Sequence, residues 1–361
     1  MTSALRIWFD RFLGSGEAAV TVPPLDGALK PNNRIEDAPP GIAVVAPDDI
    51  AVSGNGTIVV SSGDQLFELI DDRSLSPMAR AGGEITAIAA APSGMIAMAS
   101  DPGGISFIGS RGTAGSRAWT GVSAMVFAND TTLIICIGST QHPLSDWQCD
   151  LLDGGASGEL WRLDVASGSA DRLATGLAFP YGAIVAADGT IVVSESWSKR
   201  LIRLSADGKP LGHVMEDLPG YPARISRSER GGYWLAVFAP RSQLIEFVLR
   251  EPAYRHAMMT EVDKSHWVAP ALRSGLSLRE PMQGGALKQM GVLKPWAPTR
   301  SYGLAVELSP NFEPIRSLHS RAGGKRHGIT AATTAKGQLW LASKGGHELV
   351  SVALRLQGAD Q

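Results

Sequence analysis

Residues 177–204, LAFPYGAIVAADGTIVVSESWSKRLIRL, spell out an apolar strand, a turn at Asp188-Gly189, a second alternating strand and a third that ends in Ile202-Arg203-Leu204. Two-residue alternation broken by glycine turns is the pattern of short antiparallel strands. Aligned on the turn after the first strand, five further copies follow: IAVSGNGTIVVSSGDQLFEL (50–69), ITAIAAAPSGMIAMASDPGGISFI (85–108), VSAMVFANDTTLIICIGS (122–139), ARISRSERGGYWLAVFAPRSQLIEFVL (223–249) and ITAATTAKGQLWLASKGGHELVSVAL (329–354). Their turns sit at Gly56, Gly94, Asp130-Thr131, Gly232 and Gly337. Most spacings are near the roughly 40 to 50 residues that one four-stranded blade needs. A single unit of this kind cannot bury its apolar face, so the copies must stack on one another. The expectation is an all-β chain, a six-bladed β-propeller over 41–361 preceded by a helical or extended segment over 1–40.

Two intervals between copies are long, and such insertions gather on one face of a repeat fold. The first, STQHPLSDWQCDLLDGGAS (139–157), carries a helical patch with Leu144, Trp147, Leu151 and Leu152 on one side, and Gly154-Gly155 stops it. The second, about 250–300, mixes Arg250, Arg255, Lys264, Arg273, Arg279, Lys288 and Lys294 with Trp267 and Trp296. Both read as parts of a rim or lid, because long loops on a rigid scaffold are where binding residues collect. At the N-terminus Leu5, Trp8, Phe9, Phe12 and Leu13 share roughly one helical face, which is expected to pack on the propeller rather than enter a membrane.

Composition removes several function classes. A formal net charge of −2 gives no field for gathering nucleic acid. Two cysteines, Cys136 and Cys149, are too few for a disulfide framework or a zinc site. The start MTSALRIWFDRFLG lacks the continuous apolar run of a secretory signal, and no stretch is long and apolar enough to span a bilayer. The expectation is a cytoplasmic protein with a small-molecule substrate, no nucleic-acid partner and no stable membrane insertion.

In a propeller the inner strands of all blades start around one channel, so equivalent positions before those strands face each other. Eight residues upstream of each turn lie Asp48, Thr86, Ser123, Tyr181, Arg224 and Ile329. Buried polar groups must find partners, so such a ring is either a satisfied plug, built on an Asp48–Arg224 ion pair, or a binding site. Strand alternation points Asp49 to the opposite side of the strand from Asp48. His327, just ahead of the last inner strand, is placed to reach the channel mouth.

The stretches GLAFPYGAIVAADGTIVVSESWSKRLIRL, LPGYPARISRSERGGYWLAV and HPLSDWQCDLLDGGASGELWRLD resemble segments of strictosidine synthase-like proteins, within the wider six-bladed group of gluconolactonase, senescence marker and paraoxonase-type hydrolases. The resemblance runs from about residue 40 to 354 and implies a pocket at one end of the channel. It also implies, for many members, a divalent cation, often calcium, held by a carboxylate before the first inner strand and by Asn or Asp in later blades. Here APDD supplies Asp48 and Asp49, but the usual FPNG reads FPYG, with Tyr181, and the usual YPDN reads YPAR, with Ala223 and Arg224. The corresponding place in blade three falls near Ile137 and Gly138, which offer no side-chain oxygen. Calcium wants six to eight oxygens, so no cofactor is expected; a calcium or other divalent ion, if bound, would sit on Asp48 and Asp49. The strictosidine synthases imply a catalytic Glu near the start of the last blade, and KRHGITAATTAKG has none.

Three readings stand. In the first, a hydrolase opens a lactone or ester, with Arg224 and Tyr181 donating to the oxyanion and Asp48 or His327 as base; His327 is favoured, because pairing with Arg224 weakens Asp48. His142, Trp147 and Trp197 are its candidate substrate contacts. The second is a metal-free lyase, isomerase or condensing enzyme with Arg224 clamping a carboxylate. The third is a propeller that binds a ligand or protein without catalysis.

Overall fold

The computed structural model describes residues 22–109, 112–277, 280–281 and 300–354, and the backbone of 288–289 and 292–293. Six antiparallel sheets stand around one axis. The first four blades take their inner strands from Pro47–Val52, Glu84–Ala90, Val122–Phe127 and Pro180–Val185, and the last two from Gly220–Arg227 and Ile329–Ala335. Among the described residues blade two has three strands, and blade six gains its fourth from the other end of the chain, where Ile42–Ala43 pairs with Glu348–Ala353. That pairing closes the ring, so neither end of the repeat array is left as a bare stacking face.

The hairpin turns require glycine: Gly56, Gly94, Gly189, Gly232 and Gly337 have φ between +73° and +93°, a region that L side chains avoid. Between blades, one sheet face packs on the next, as where Ile184, Val192 and Leu201 of blade four meet Ile225, Leu235 and Val237 of blade five. Cys136 lies in such an interface, where burial pushes its thiol up to about 12 and leaves it inert.

Residues 22–40 are irregular, with one turn of 3-10 helix, Gly27–Leu29, and a second turn closed by the Asp37 N–H donating to the Asn33 carbonyl at 2.8 Å. They run along the outer strand Pro314–His319 of blade five: Ile35 is fully buried and its N–H donates to the His319 carbonyl at 2.8 Å. The Arg326 guanidinium gathers the carbonyls of Ile35, Ala38 and Pro39 at 2.7 Å each. The apolar stripe Leu5, Trp8, Phe9, Phe12 and Leu13 lies outside the described residues, as do the side chains of Arg279, Lys288, Lys294 and Trp296. No helix among the described residues is long and apolar enough to cross a membrane.

All six inner strands slip register against their neighbours near their starts: between Pro47 and Ile50, Ile85 and Ala87, Pro180 and Gly182, Pro222 and Ile225, Ile329 and Ala331, and around Ser123. A bulge frees a residue from the ladder and re-aims its side chain. The ring residues sit at these bulges, which corrects two expectations. In blade six the residue in the ring is Thr330, whose hydroxyl donates to the Asp48 carbonyl at 2.6 Å, and not Ile329. In blade one the bulge cancels the alternation, so that Asp48 and Asp49 both turn toward the channel axis.

Candidate active site at the upper mouth of the channel

The Arg224 guanidinium lies across the channel. Its Nη1 donates to the Asp48 carbonyl at 2.9 Å, and Nη2 lies within hydrogen-bond distance of Asp48 Oδ2 at 2.8 Å, the Thr86 carbonyl at 2.7 Å and the Ser123 carbonyl at 3.1 Å. Nε is 3.0 Å from Asp49 Oδ2, an ion-pair contact without hydrogen-bond alignment. The guanidinium carbon stands 4.9 Å from the Tyr181 ring centroid, in cation–π range. The local backbone allows this approach because residue 182 is glycine: a Cβ there would lie 2.8 Å from Arg224 Cα and 2.6 Å from the Ala223 carbonyl.

Arg224 separates two cavities. The lower one, about 540 Å³, is lined by Asp49 and by inner-strand residues of mixed size, from Ala89 and Ala183 to Met125, Phe127 and Arg227. The upper one, about 470 Å³, has Asp48, Tyr181 and Lys344 on its floor, Glu84 and Asp101 at one side, and Trp147, Phe179, Trp197 and Phe238 as walls. Pro143, Leu144 and Ser145 of the first insertion and Leu272 of the second complete it. The two insertions are clasped together. Lys264 Nζ pairs with Asp146 at 2.6 Å, Gln148 Nε2 donates to the Pro270 carbonyl at 2.7 Å, and Leu152 packs with Val248, Met258 and Trp267.

The aromatic wall is built from strand ends of blades four and five and from Trp147, the first residue of the helix Trp147–Leu152 in the first insertion. Trp197 stacks on Phe179 at 4.4 Å and on Trp147 at 6.1 Å. Its indole N–H donates at 2.7 Å to the buried carboxylate of Asp150, which also accepts from Ser139 at 2.6 Å. Phe179 holds a left-handed backbone, φ +55°, a conformation costing of order 1–3 kcal/mol that persists where packing fixes it.

Lys344 decides the electrostatics of the floor. Its ammonium is 2.8 Å from Asp48 Oδ1 and 3.5 Å from Glu84 Oε1. Burial would raise the Asp48 pKa, but Arg224 and Lys344 together hold it below the ordinary carboxylate range. Burial would likewise lower Lys344, and Asp48 more than reverses this, so the ammonium keeps its proton well above neutrality. Burial pushes the Tyr181 hydroxyl up to about 12, and no protein group among the described residues hydrogen-bonds to it. The floor thus presents one ionised acceptor and two protonated donors to whatever fills the cavity.

Of the residues singled out from sequence, Asp48, Tyr181, Trp147 and Trp197 line this cavity. Arg224 lies beneath it, with its guanidinium committed to Asp48 and two backbone carbonyls, so an oxyanion donor at this position is not what the geometry offers. His327 is 1% exposed and does not reach the mouth. Its ring is held between the Ser301 hydroxyl at 2.7 Å and the Arg321 carbonyl at 2.8 Å, and burial lowers its pKa. His142 pairs with Asp153 at 2.9 Å on the outside of the insertion and does not line the cavity. Sequence reasoning missed Asp101, Phe238 and Lys344. These lie six to seven residues after the turns at Gly94, Gly232 and Gly337, and Trp197 eight after Gly189, where the second strand of each blade returns to the upper face. The repeat register carries that signal as plainly as the positions before the turns.

With Arg224 in place, the donor set leaves no room for a hard divalent cation. Asp48 already faces two cations, Asp49 accepts the N–H groups of Ile50 at 2.8 Å and Ile88 at 2.9 Å, and no cluster of three His, Cys, Asp or Glu side chains with metal-binding geometry occurs among the described residues.

No protein-family model matches the chain. A strictosidine synthase-like protein of Arabidopsis thaliana is 31% identical over 108 residues, covering 29% of this chain and 27% of that protein. An adipocyte plasma membrane-associated protein of Gallus gallus is 24% identical over 353 residues, covering 89% and 79%, and one of Danio rerio is 24% identical over 57% and 45%. The match therefore spans less than half of the plant and zebrafish relatives. Among solved structures, a gluconolactonase of Xanthomonas campestris superposes with a TM-score of 0.53 at 13% identity, covering 89% of this chain and 91% of that one. A structural-genomics target assigned to the gluconolactonases gives 0.52 at 11% identity, covering 90% and 92%. The chain is a six-bladed β-propeller whose sequence relatives are strictosidine synthase-like and adipocyte plasma membrane-associated proteins, on a fold it shares with gluconolactonases.

Proposed function

We propose that the upper cavity binds a small carbonyl compound with a flat apolar body and hydrolyses it as a lactone or ester, without a metal ion. The observation that carries this reading is the Asp48–Lys344 pair beside the free Tyr181 hydroxyl, on the floor of an aromatic cavity. Lys344 and Tyr181 are both protonated near neutrality, so they serve as donors to a carbonyl oxygen and not as nucleophiles. Asp48, kept ionised, accepts a proton from an attacking water. The carbonyl carbon gains the water oxygen, the oxyanion is held by Lys344 and Tyr181, and collapse breaks the acyl–oxygen bond. The departing alkoxide takes the proton from Asp48, leaving an acid and an alcohol, or one hydroxy acid from a lactone.

Asp48 is a weak base because its two cations depress its pKa. That observation favours, as the second reading, a propeller that binds the same ligand without turning it over.

Screening the purified chain against aryl esters and lactones tests the first reading, with Lys344→Met and Tyr181→Phe alongside. Each variant should lose roughly 100- to 1000-fold in kcat, the effect of removing one oxyanion donor. Hydrolysis that survives both substitutions unchanged would refute the assignment. Saturable ligand binding with no turnover would select the second reading.

A further inference from the structure

Five oxygens from three different blades converge on the channel axis: the Asp48 carbonyl and Oδ2, Asp49 Oδ2, and the carbonyls of Thr86 and Ser123. Two of the contributing side chains are carboxylates, and both are about 4% exposed. Such a cluster repels itself and lacks water to screen it, so it needs a cation at its centre. Among the described residues, the only cation within reach of all five is Arg224, which arrives from blade five; Lys344 reaches Asp48 from above at Oδ1. We infer that Arg224 is a resident cation: its guanidinium occupies a ready-made hard-cation shell, ties blades one, two, three and five together at the axis, and so lets the propeller close without any metal ion. Removing it uncovers a site for a divalent or trivalent ion.

The chemistry of the shell supports this. All five atoms are oxygens, three of them backbone carbonyls, a set suited to a hard ion and not to a soft one. The guanidinium fits because its planar fork satisfies several acceptors in different directions at once, which a single ammonium does not. Tyr181 contributes the blade-four side of the cage by facing the guanidinium with its ring. The inference concerns the tie across the blades and is independent of whether the upper cavity hydrolyses anything.

Thermal unfolding of the full chain, read with and without EDTA and with millimolar calcium, is the first arm. The wild type should show the same Tm in all three within about 1 °C, and a chelator-induced loss would overturn the inference. Arg224→Ala should lower the Tm by roughly 5–15 °C, the scale expected when one partner of a buried ion pair is deleted. Calcium should then restore part of that loss in the variant only.

Terbium luminescence is the second arm, because Tyr181 beside the emptied site is an antenna for the ion. Emission sensitised at tyrosine wavelengths should appear in Arg224→Ala, be absent from the wild type, and vanish in Arg224→Ala with Tyr181→Phe. An Arg224→Ala protein with unchanged Tm, or one that neither binds terbium nor responds to calcium, would sink the idea. Should Arg224→Ala fail to fold, Arg224→Lys carries the test. It keeps the charge but reaches fewer acceptors, so its Tm should fall measurably without terbium emission, and a wild-type Tm would refute the tie.

Discussion

Asp48 and Asp49 are neighbours in sequence, are buried alike and share one arginine, yet they behave in opposite ways. Asp48, on the upper side of Arg224, meets a second cation in Lys344 and is held below the ordinary carboxylate range. Asp49, on the lower side, has Arg224 and two backbone N–H groups, and burial still pushes it up to about 6. The two mouths of the channel differ in the same sense. The upper carries both insertions, an aromatic wall and a paired ammonium and carboxylate; the lower is walled by the inner strands and their turns, with neither insertion reaching it. What separates a candidate reaction floor from a structural plug here is one lysine and two loops, and not the repeat itself.

The largest effect should come from removing Asp48. Asp48→Asn leaves Arg224 and Lys344 with a neutral partner and should cost about 3–5 kcal/mol in chemical denaturation at pH 7, as for a broken buried pair. Asp49→Asn should cost far less at that pH, because it also removes a carboxylate that burial disfavours. Equal losses would erase the distinction between the two sides.

Next in size is a pH effect. The native Asp49 holds its proton more tightly than the unfolded chain, so its stabilising contribution is complete below the unfolded value of 3.8 and disappears as pH rises through about 6. The span corresponds to about 3 kcal/mol at most. His319, lowered by burial to about 4, and His327, lowered likewise, act in the opposite direction: their contribution is complete above the unfolded value and is lost on acidification. The stability difference between wild type and Asp49→Asn, followed from pH 4 to 7.5, isolates the aspartate. A difference that does not move with pH would contradict the contrast.

Lys344→Met should remove what distinguishes the upper side. The Asp48 pKa should rise, and the acidic limb of any pH–rate profile should move toward neutrality; a profile that stays in place would assign Asp48's depression to Arg224 alone. The smallest expected effect on stability is that of Tyr181→Phe, within about 0.5 kcal/mol, since its hydroxyl has no protein partner among the described residues to lose.

The repeat was legible because its cause is local. Alternation, a glycine with positive φ in the turn and a fixed interval need no knowledge of distant residues, and they placed Asp48, Thr86, Ser123, Tyr181 and Arg224 at one level around the axis. Bulges are not written in the alternation, which is why Thr330 replaces Ile329 and why Asp49 turns to the same arginine as Asp48. Lys344 lies outside the positions that precede the inner strands, although the return strands arrive at the same face. His327 illustrates the reverse error. Its position before a strand suggests access, but the connection from blade five covers it, and Ser301 and the Arg321 carbonyl saturate its ring.

By itself the sequence determined six blades, the level of the ring and the two insertions, because strand period and turn chemistry act over a few residues. The tertiary structure decided the rest: that Arg224 closes the channel instead of opening onto the cavity, that Lys344 holds Asp48 ionised, and that Asp150 fixes the plane of Trp197. Those outcomes depend on charges and rings brought together from blades far apart in the chain, where burial removes the screening water and makes each neighbour count.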